Sequence, residues 1–444
     1  MAVVIGIVIG AGIFRSPQMV AANTGTPGLM LLAWGLGGLL CLCGALTYAE
    51  LASAYPKVGG EYVFLSRAFG RGVGFLFVWA RLTVIQTGAI SATAYVFGDY
   101  MERLVPLGAY GSLAWALGAT IVLAIMNVVG LKAGRWTQNA LTAVKVTGVL
   151  AIIGAGLLAA TGQAPPEATV TTDEPTGGWP GFASLGLAMV FILYTFGGWN
   201  EAAYVAGELK RQRSGALWVL VGSLVLLTGL YVVVNGAYVQ VLGLEGMVAE
   251  EAVAAHAMRV LGGPWAERAV IVLVAVSALG GVNGTIFTGA RAICGLGEDF
   301  RPLRGLAQWH PRSGTPTAAV LLQSGVAVVL IVLPNLGEAF REALGPGFKA
   351  AVEYTAPVFW LFFLLTGLSV FVLRATEPEV TRPVRIPLYP ATPLVFCLMC
   401  GYMLYSSVAY TGLGAMVGMA VLALGVPVYL AFRRSGRSGD GILN

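Results

Sequence analysis

Apolar residues recur along the chain in runs of about 20, each long enough to cross a hydrocarbon core of about 30 Å as a helix. Short polar stretches separate the runs. The pattern predicts twelve spans, at roughly 2–22, 29–55, 72–98, 111–130, 138–160, 182–207, 215–242, 266–294, 315–333, 350–373, 391–411 and 413–432. The connection 243–265 is long and amphipathic. The stretch 56–70 (PKVGGEYVFLSRAFG) is too short and polar to span and reads as an interfacial or re-entrant piece. Two of the spans are broken by small residues. The first reads Val8-Ile9-Gly10-Ala11-Gly12-Ile13-Phe14, and the sixth reads Tyr194-Thr195-Phe196-Gly197-Gly198-Trp199-Asn200. In lipid, backbone that leaves the helix must be buried in protein or line a cavity, because each bare N–H or C=O costs several kcal/mol. Glycine lets a helix stop and lets a ligand approach the main chain.

Spans 1 and 6 each open a group of five. An odd number of spans per group inverts the second copy, so the order predicts a 5+5 inverted repeat: 1–160, then 182–373. Two additional spans (391–432) and a tail (433–444) follow. The expected class is an all-α polytopic membrane protein with 12 transmembrane helices. Glycine-interrupted spans at corresponding positions of two halves point to a transporter's binding site.

A helix that stops mid-membrane leaves its last carbonyls and the next helix's first amides unpaired. The restarted half carries partial positive charge and free N–H groups, which attract an anion. The carbonyls of the half that ended suit an ammonium. One break thus offers a carboxylate site and an amine site side by side, matching the head of an α-amino acid. The carboxylate is assigned to the amides of Ala11, Gly12 and Ile13. The amine is assigned to the carbonyls of Val8 and Ile9 and those near Tyr194 to Phe196. The alternative is that these glycines only permit close helix packing. Two breaks at matched positions favour a site, and Tyr194 is placed to gate it.

Composition narrows the class. The chain is 57% hydrophobic and 11% charged, against about 25% charged in an ordinary soluble domain. A net charge of +5 does not point to nucleic acid, since the basic residues sit in short loops where they set orientation. Of 26 Lys and Arg, 17 fall in the even-to-odd connections and the C-terminal tail. Five (Arg103, Arg259, Arg268, Arg341 and Lys349) fall on the opposite side, and four lie in spans. Both termini are therefore expected in the cytoplasm, in a cell (inner) membrane. The five cysteines lie in or beside apolar spans and read as small buried hydrophobes. His256 and His310 lie far apart in loops. No metal site, no cofactor and no nucleophile–base cluster is expected, which argues against an intramembrane enzyme.

Ionisable residues inside spans are costly and face a cavity or a partner. Lys145 lies in the middle of the fifth span. A fixed ammonium there takes the place a sodium ion fills in related folds, bonding to carbonyls of the first break and to a hydroxyl such as Ser277. Alternatively, it exchanges a proton. Both roles argue against sodium coupling. Glu50, near the end of span 2, and Glu208, at the end of span 6, are expected at interfaces or gates, with plain ion pairing as the alternative. Glu201 either meets a cationic substrate or points away. Arg81, Arg291 and Glu353 are left unplaced.

GIVIGAGIF with the following RSP, TYAELASAYPKVGGEYVFLSRAFG, LYTFGGWNEAAYVAGEL, GGVNGTIFTGAR and RPVRIPLYPATPLVF together resemble the amino acid/polyamine/organocation superfamily. Within it they look most like the L-type amino acid transporter family and its bacterial homologues. The resemblance implies a LeuT-like inverted-repeat fold, alternating access and sodium-independent amino acid transport, often as obligatory exchange. It places the first-break pocket on Val8, Ile9, Gly10, Ala11, Gly12 and Ile13. The second-break pocket falls on Tyr194, Phe196, Gly197 and Asn200, and the family's span-5 lysine on Lys145. The GGWN of the second break differs from the GFD of cationic amino acid transporter relatives and favours neutral substrates.

Three departures stand out. Ala11 replaces a serine common between the two glycines. The loop 99–110 has no cysteine, so no disulfide to a heavy chain is expected there. Met1 lies almost inside the first span, without the family's usual leader. The reading is an amino acid permease working by exchange or proton symport. Two alternatives remain: a polyamine or basic amino acid antiporter with Glu201 as cation partner, and a membrane receptor that does not transport.

Overall fold

The computed structural model describes residues 10–56, 60–129, 147–154, 156–157, 180–200, 213–299, 301–311, 313–338, 342, 345, 347–410 and 412–435. Among these residues there are helices and turns and no strand. In order they form α1 (Ser16–Thr24), α2 (Pro27–Ala54), α3 (Glu61–Phe69), α4 (Arg71–Ala80), α5 (Gln86–Leu104), α6 (Gly111–Val129) and α7 (Gly181–Thr195). Then follow α8 (Arg213–Ala249), α9 (Val253–Asp299), α10 (Thr317–Val332), α11 (Gly347–Thr376), α12 (Ala391–Tyr410) and α13 (Leu413–Ser435). Nine stretches within the described residues are long and apolar enough to cross a membrane, and α7 is a shorter apolar helix. They fall on predicted spans 2, 3, 4 and 7 to 12 and on the first half of span 6. Val8, Ile9, Lys145, Glu201 and Glu208 lie outside the described residues.

Local sequence sets the boundaries. Gly25 adopts a left-handed conformation (φ 68°) and ends α1, as glycine commonly does at helix C-termini. Thr26 then caps α2 by accepting a hydrogen bond from the Leu29 amide at 3.3 Å, with Pro27 in the first turn. This is the favoured order of cap and proline. Residues 56–70, read as an interfacial piece, contain α3, which starts with Glu61 in its first turn. Between α4 and α5 the chain continues through a π-helical turn, Arg81–Ile85. The connection 243–265 is itself helical: α8 kinks at Gly243 and α9 at Gly263, both with positive φ.

The helices pack in two groups. α1 and α2 contact each other and both α7 and α8, and α5, α6, α9 and α10 contact one another; α11 touches both groups, while α12 packs on α2, α7 and α11. Close approach within the first group relies on small residues. A Cβ at Gly37 of α2 would lie 2.4 Å from Ile192 Cγ2 of α7, and one at Gly38 only 2.1 Å from Thr228 Oγ1 of α8. Large apolar side chains also remain on the outside, among them Leu32 at 70% and Ile125 at 57% exposed. An apolar exterior of this kind suits a lipid-facing surface.

Candidate functional site

At the first break, Gly10 is extended (φ −86°, ψ 179°) and Ala11–Phe14 form one 3₁₀ turn. The Arg15 amide closes it on Gly12 O at 3.0 Å, and α1 begins at Ser16. In a 3₁₀ turn that starts after Gly10, the amides of Ala11 and Gly12 precede the first i→i−3 bond, so the turn itself gives them no acceptor, whereas the Ile13 amide closes on Gly10. At the second break α7 ends at Thr195, and the Gly197 amide bonds Tyr194 O at 3.0 Å. Gly198 takes φ 98°, which L side chains resist, and helix resumes at Trp199 and Asn200. The two breaks touch. A Cβ on Gly12 would sit 3.2 Å from Thr195 Oγ1 and 3.4 Å from its Cα.

Side chains around the first break are held by charge. Arg15 is 1% exposed and pairs with Asp99 of α5 at 3.1 Å and with Glu251 at 3.3 Å. Its guanidinium also lies 5.4 Å from the Phe348 ring centre of α11. Tyr194 packs edge-on against the same ring at 6.1 Å. The Tyr100 hydroxyl donates to Phe14 O at 2.8 Å, and the Gln18 amide donates to Val248 O at 2.9 Å. α1 is thereby tied to α5 and to the end of α8.

Side chains of the second break are held by aromatic packing. Phe196 is fully buried between Trp34 of α2 and Tyr231 of α8, with ring centres at 6.2 and 4.9 Å. Its ring is thus committed to helix packing. Trp199 sits among Tyr48, Phe363 and Phe396 at 5.0, 5.4 and 6.2 Å. Asn200 is buried, and its amide donates to Glu61 Oε1 of α3 at 3.4 Å. The same oxygen accepts the Tyr48 hydroxyl at 2.7 Å, and Arg81, on the π turn, lies 3.9 Å from Glu61 Oε2.

Glu50 is paired at the end of α2. Arg374 of α11 grips it with two hydrogen bonds of 2.8 and 2.7 Å, the Ile386 amide donates at 2.8 Å, and Arg382 lies at 3.6 Å. Nearby, the Tyr55 hydroxyl donates to Glu377 at 3.0 Å. Burial and that carboxylate push the phenol up to about 12, so it remains a donor at neutral pH. Ser277 of α9 is fully buried, and its hydroxyl meets no hydrogen-bond partner among the described residues. Arg291 stacks on Phe287, and Glu353 pairs with Lys349 at 3.7 Å. No group of acidic, histidine or cysteine residues able to hold a metal occurs among the described residues.

The structure thus brings Gly12 of the first break against Thr195 at the second, and engages Glu50 with Arg374, Arg382 and the Ile386 amide. Sequence reasoning did not single out Asp99, Phe348 or Glu61. Arg15 and Arg81 carried a usable signal as charges inside apolar spans; their partners on distant helices did not.

A sequence model of the amino acid permease family matches residues 1–431. The chain belongs to that family. Similar proteins include the serine/threonine exchanger SteT of Bacillus subtilis (strain 168), 26% identical over 98% of this chain and 95% of the relative. The human b(0,+)-type amino acid transporter 1 is 30% identical over 87% and 77%. The human large neutral amino acids transporter small subunit 2 is 30% identical over 96% and 78%. These relatives of the permease are transporters, not enzymes, and its many apolar helices fit a multi-pass membrane protein.

Proposed function

We propose that this permease moves neutral L-amino acids across the cell membrane by alternating access, without sodium, as an exchanger or proton symporter. The observation that carries the reading is the contact between the two breaks at Gly12 and Thr195. The contact supports a site in which helix-start amides, suited to a carboxylate, lie near the carbonyls that end α7, suited to an ammonium. The packing of α1, α2, α7 and α8 as one set and of α5, α6, α9 and α10 as another supports a 5+5 inverted repeat in which one group rocks against the other. Charge supports a neutral substrate. Glu61 is matched by Arg81, while Asp99 and Glu251 share Arg15, so these carboxylates are not left for a cationic side chain. The buried Ser277 hydroxyl supports a polar partner in the fifth span, the role assigned to Lys145. Nothing in the reading calls for a disulfide-linked heavy chain.

The test is counterflow in liposomes of the purified permease. Labelled neutral amino acids should accumulate against unlabelled internal amino acid in sodium-free buffer. Uptake confined to arginine, agmatine or putrescine would contradict the neutral reading. Uptake that requires a sodium gradient would contradict the role given to Lys145.

A further inference from the structure

The polar knot at the second break has a chemistry that fixes which end of the Asn200 amide faces Glu61. A side-chain amide has a donor end and an acceptor end. The Glu61 carboxylate, ion-paired with Arg81, only accepts. Set against it at 3.4 Å, Asn200 must present its NH2 group, because the amide oxygen facing a carboxylate would be repelled. The assignment therefore follows from the network and does not depend on telling nitrogen from oxygen by position.

Glu61 is itself immobilised. It is 3% exposed, accepts the Tyr48 hydroxyl at 2.7 Å and faces Arg81 at 3.9 Å. Tyr48 in turn packs on Trp199, the residue before Asn200, and Trp199 is caged by Phe363 and Phe396. The backbone at Asn200 is clamped by aromatic rings and its side chain by Glu61. What is left is the carbonyl oxygen Oδ1, which accepts no hydrogen bond among the described residues. Arg81 stands on a π turn of the helix, a local irregularity that recurs at functional sites.

We propose that Glu61 is a positioning residue that orients the Asn200 amide so that its carbonyl oxygen reads a hydrogen-bond donor on the substrate. That donor is the α-ammonium or a side-chain hydroxyl. The same orientation turns away an acidic side chain, which would set a carboxylate against the amide oxygen. This rests on the permease reading above and names the polarity of its second-break pocket.

The test swaps the partners. In Glu61→Gln the residue can donate or accept, so Asn200 loses its fixed orientation. The KM for alanine and serine uptake should rise about tenfold, the loss of one good hydrogen bond to a charged group, with a smaller change in the maximal rate. Glu61→Asp should recover most of that affinity. Asn200→Asp alone sets two carboxylates face to face and should bind worse than either. Combining Asn200→Asp with Glu61→Gln restores a donor–acceptor pair with a carboxylate oxygen facing the substrate. It should return binding to within about threefold of the wild type, since a tenfold gap is 1.4 kcal/mol. A purely structural role predicts no such recovery.

Equal losses for alanine and serine assign the donor to the ammonium. A selective loss for serine assigns it to a hydroxyl. Wild-type affinity in Glu61→Gln, or a double variant no better than Asn200→Asp, overturns the proposal while leaving the permease reading intact. If Glu61→Gln does not reach the membrane folded, the comparison of the double variant with Asn200→Asp decides. A wild-type protein that binds no amino acid overturns both readings.

Discussion

The two breaks solve one problem by different means. At the first, residues 10–15, the main chain supplies the polarity, and ion pairs anchor the segment. Arg15 reaches Asp99 of α5 and Glu251 in the bend between α8 and α9. At the second, residues 196–200, aromatic packing against α2, α8, α11 and α12 anchors the segment, and one side chain, Asn200, supplies the polarity. Aromatic cages are non-directional and resist rearrangement through close packing. The first break is thus tied by a buried charge pair to α5 in the other helix group, whereas the second is fixed chiefly by packing within its own group.

The largest effect is expected from Gly12→Val. Its Cβ meets Thr195 at 3.2 Å, and its two branches screen the amides of Ala11 and Gly12. Losing one or two hydrogen bonds to a carboxylate, at about 1.5–3 kcal/mol each, weakens binding by about a hundredfold. Direct binding of labelled amino acid to purified protein checks this, and unchanged affinity would separate the site from the first break.

A smaller effect is expected at the anchor. Arg15→Met leaves Asp99 as a buried unpaired carboxylate and should cost about 3 kcal/mol of stability. Pairing it with Asp99→Leu should recover most of the loss, since apolar replacement of a buried ion pair is often neutral. Denaturation in detergent reads both. A double variant as unstable as the single one would show that the first break is not held by this charge pair.

The breaks themselves were legible in the sequence, because clustered glycines in an apolar run mark where a helix in lipid can stop. So were the number and rough limits of the described spans. The end of the third span was expected at 98, whereas α5 runs to Leu104. Glu102 and Arg103 look like loop residues by hydropathy. Here Glu102 accepts the Leu107 and Gly108 amides, and Arg103 pairs with Glu250 and Glu267, so the charges extend the helix. The partners of the site residues were hidden for a related reason. Glu61 and Asn200 are 139 residues apart, and Arg15 and Asp99 are 84 apart; only helix packing brings them together. Phe196 is the converse case. Its position beside the glycines suggested a pocket wall, and its ring lies between Trp34 and Tyr231.

The decisive measurement is an experimental structure of the permease with a bound neutral amino acid. The carboxylate should lie on the amides of Ala11 and Gly12, with the rest of the molecule extending toward Asn200. An amino acid seated elsewhere, with Gly12 still packed on Thr195 and its neighbouring amides unengaged, would contradict a site built from the two breaks.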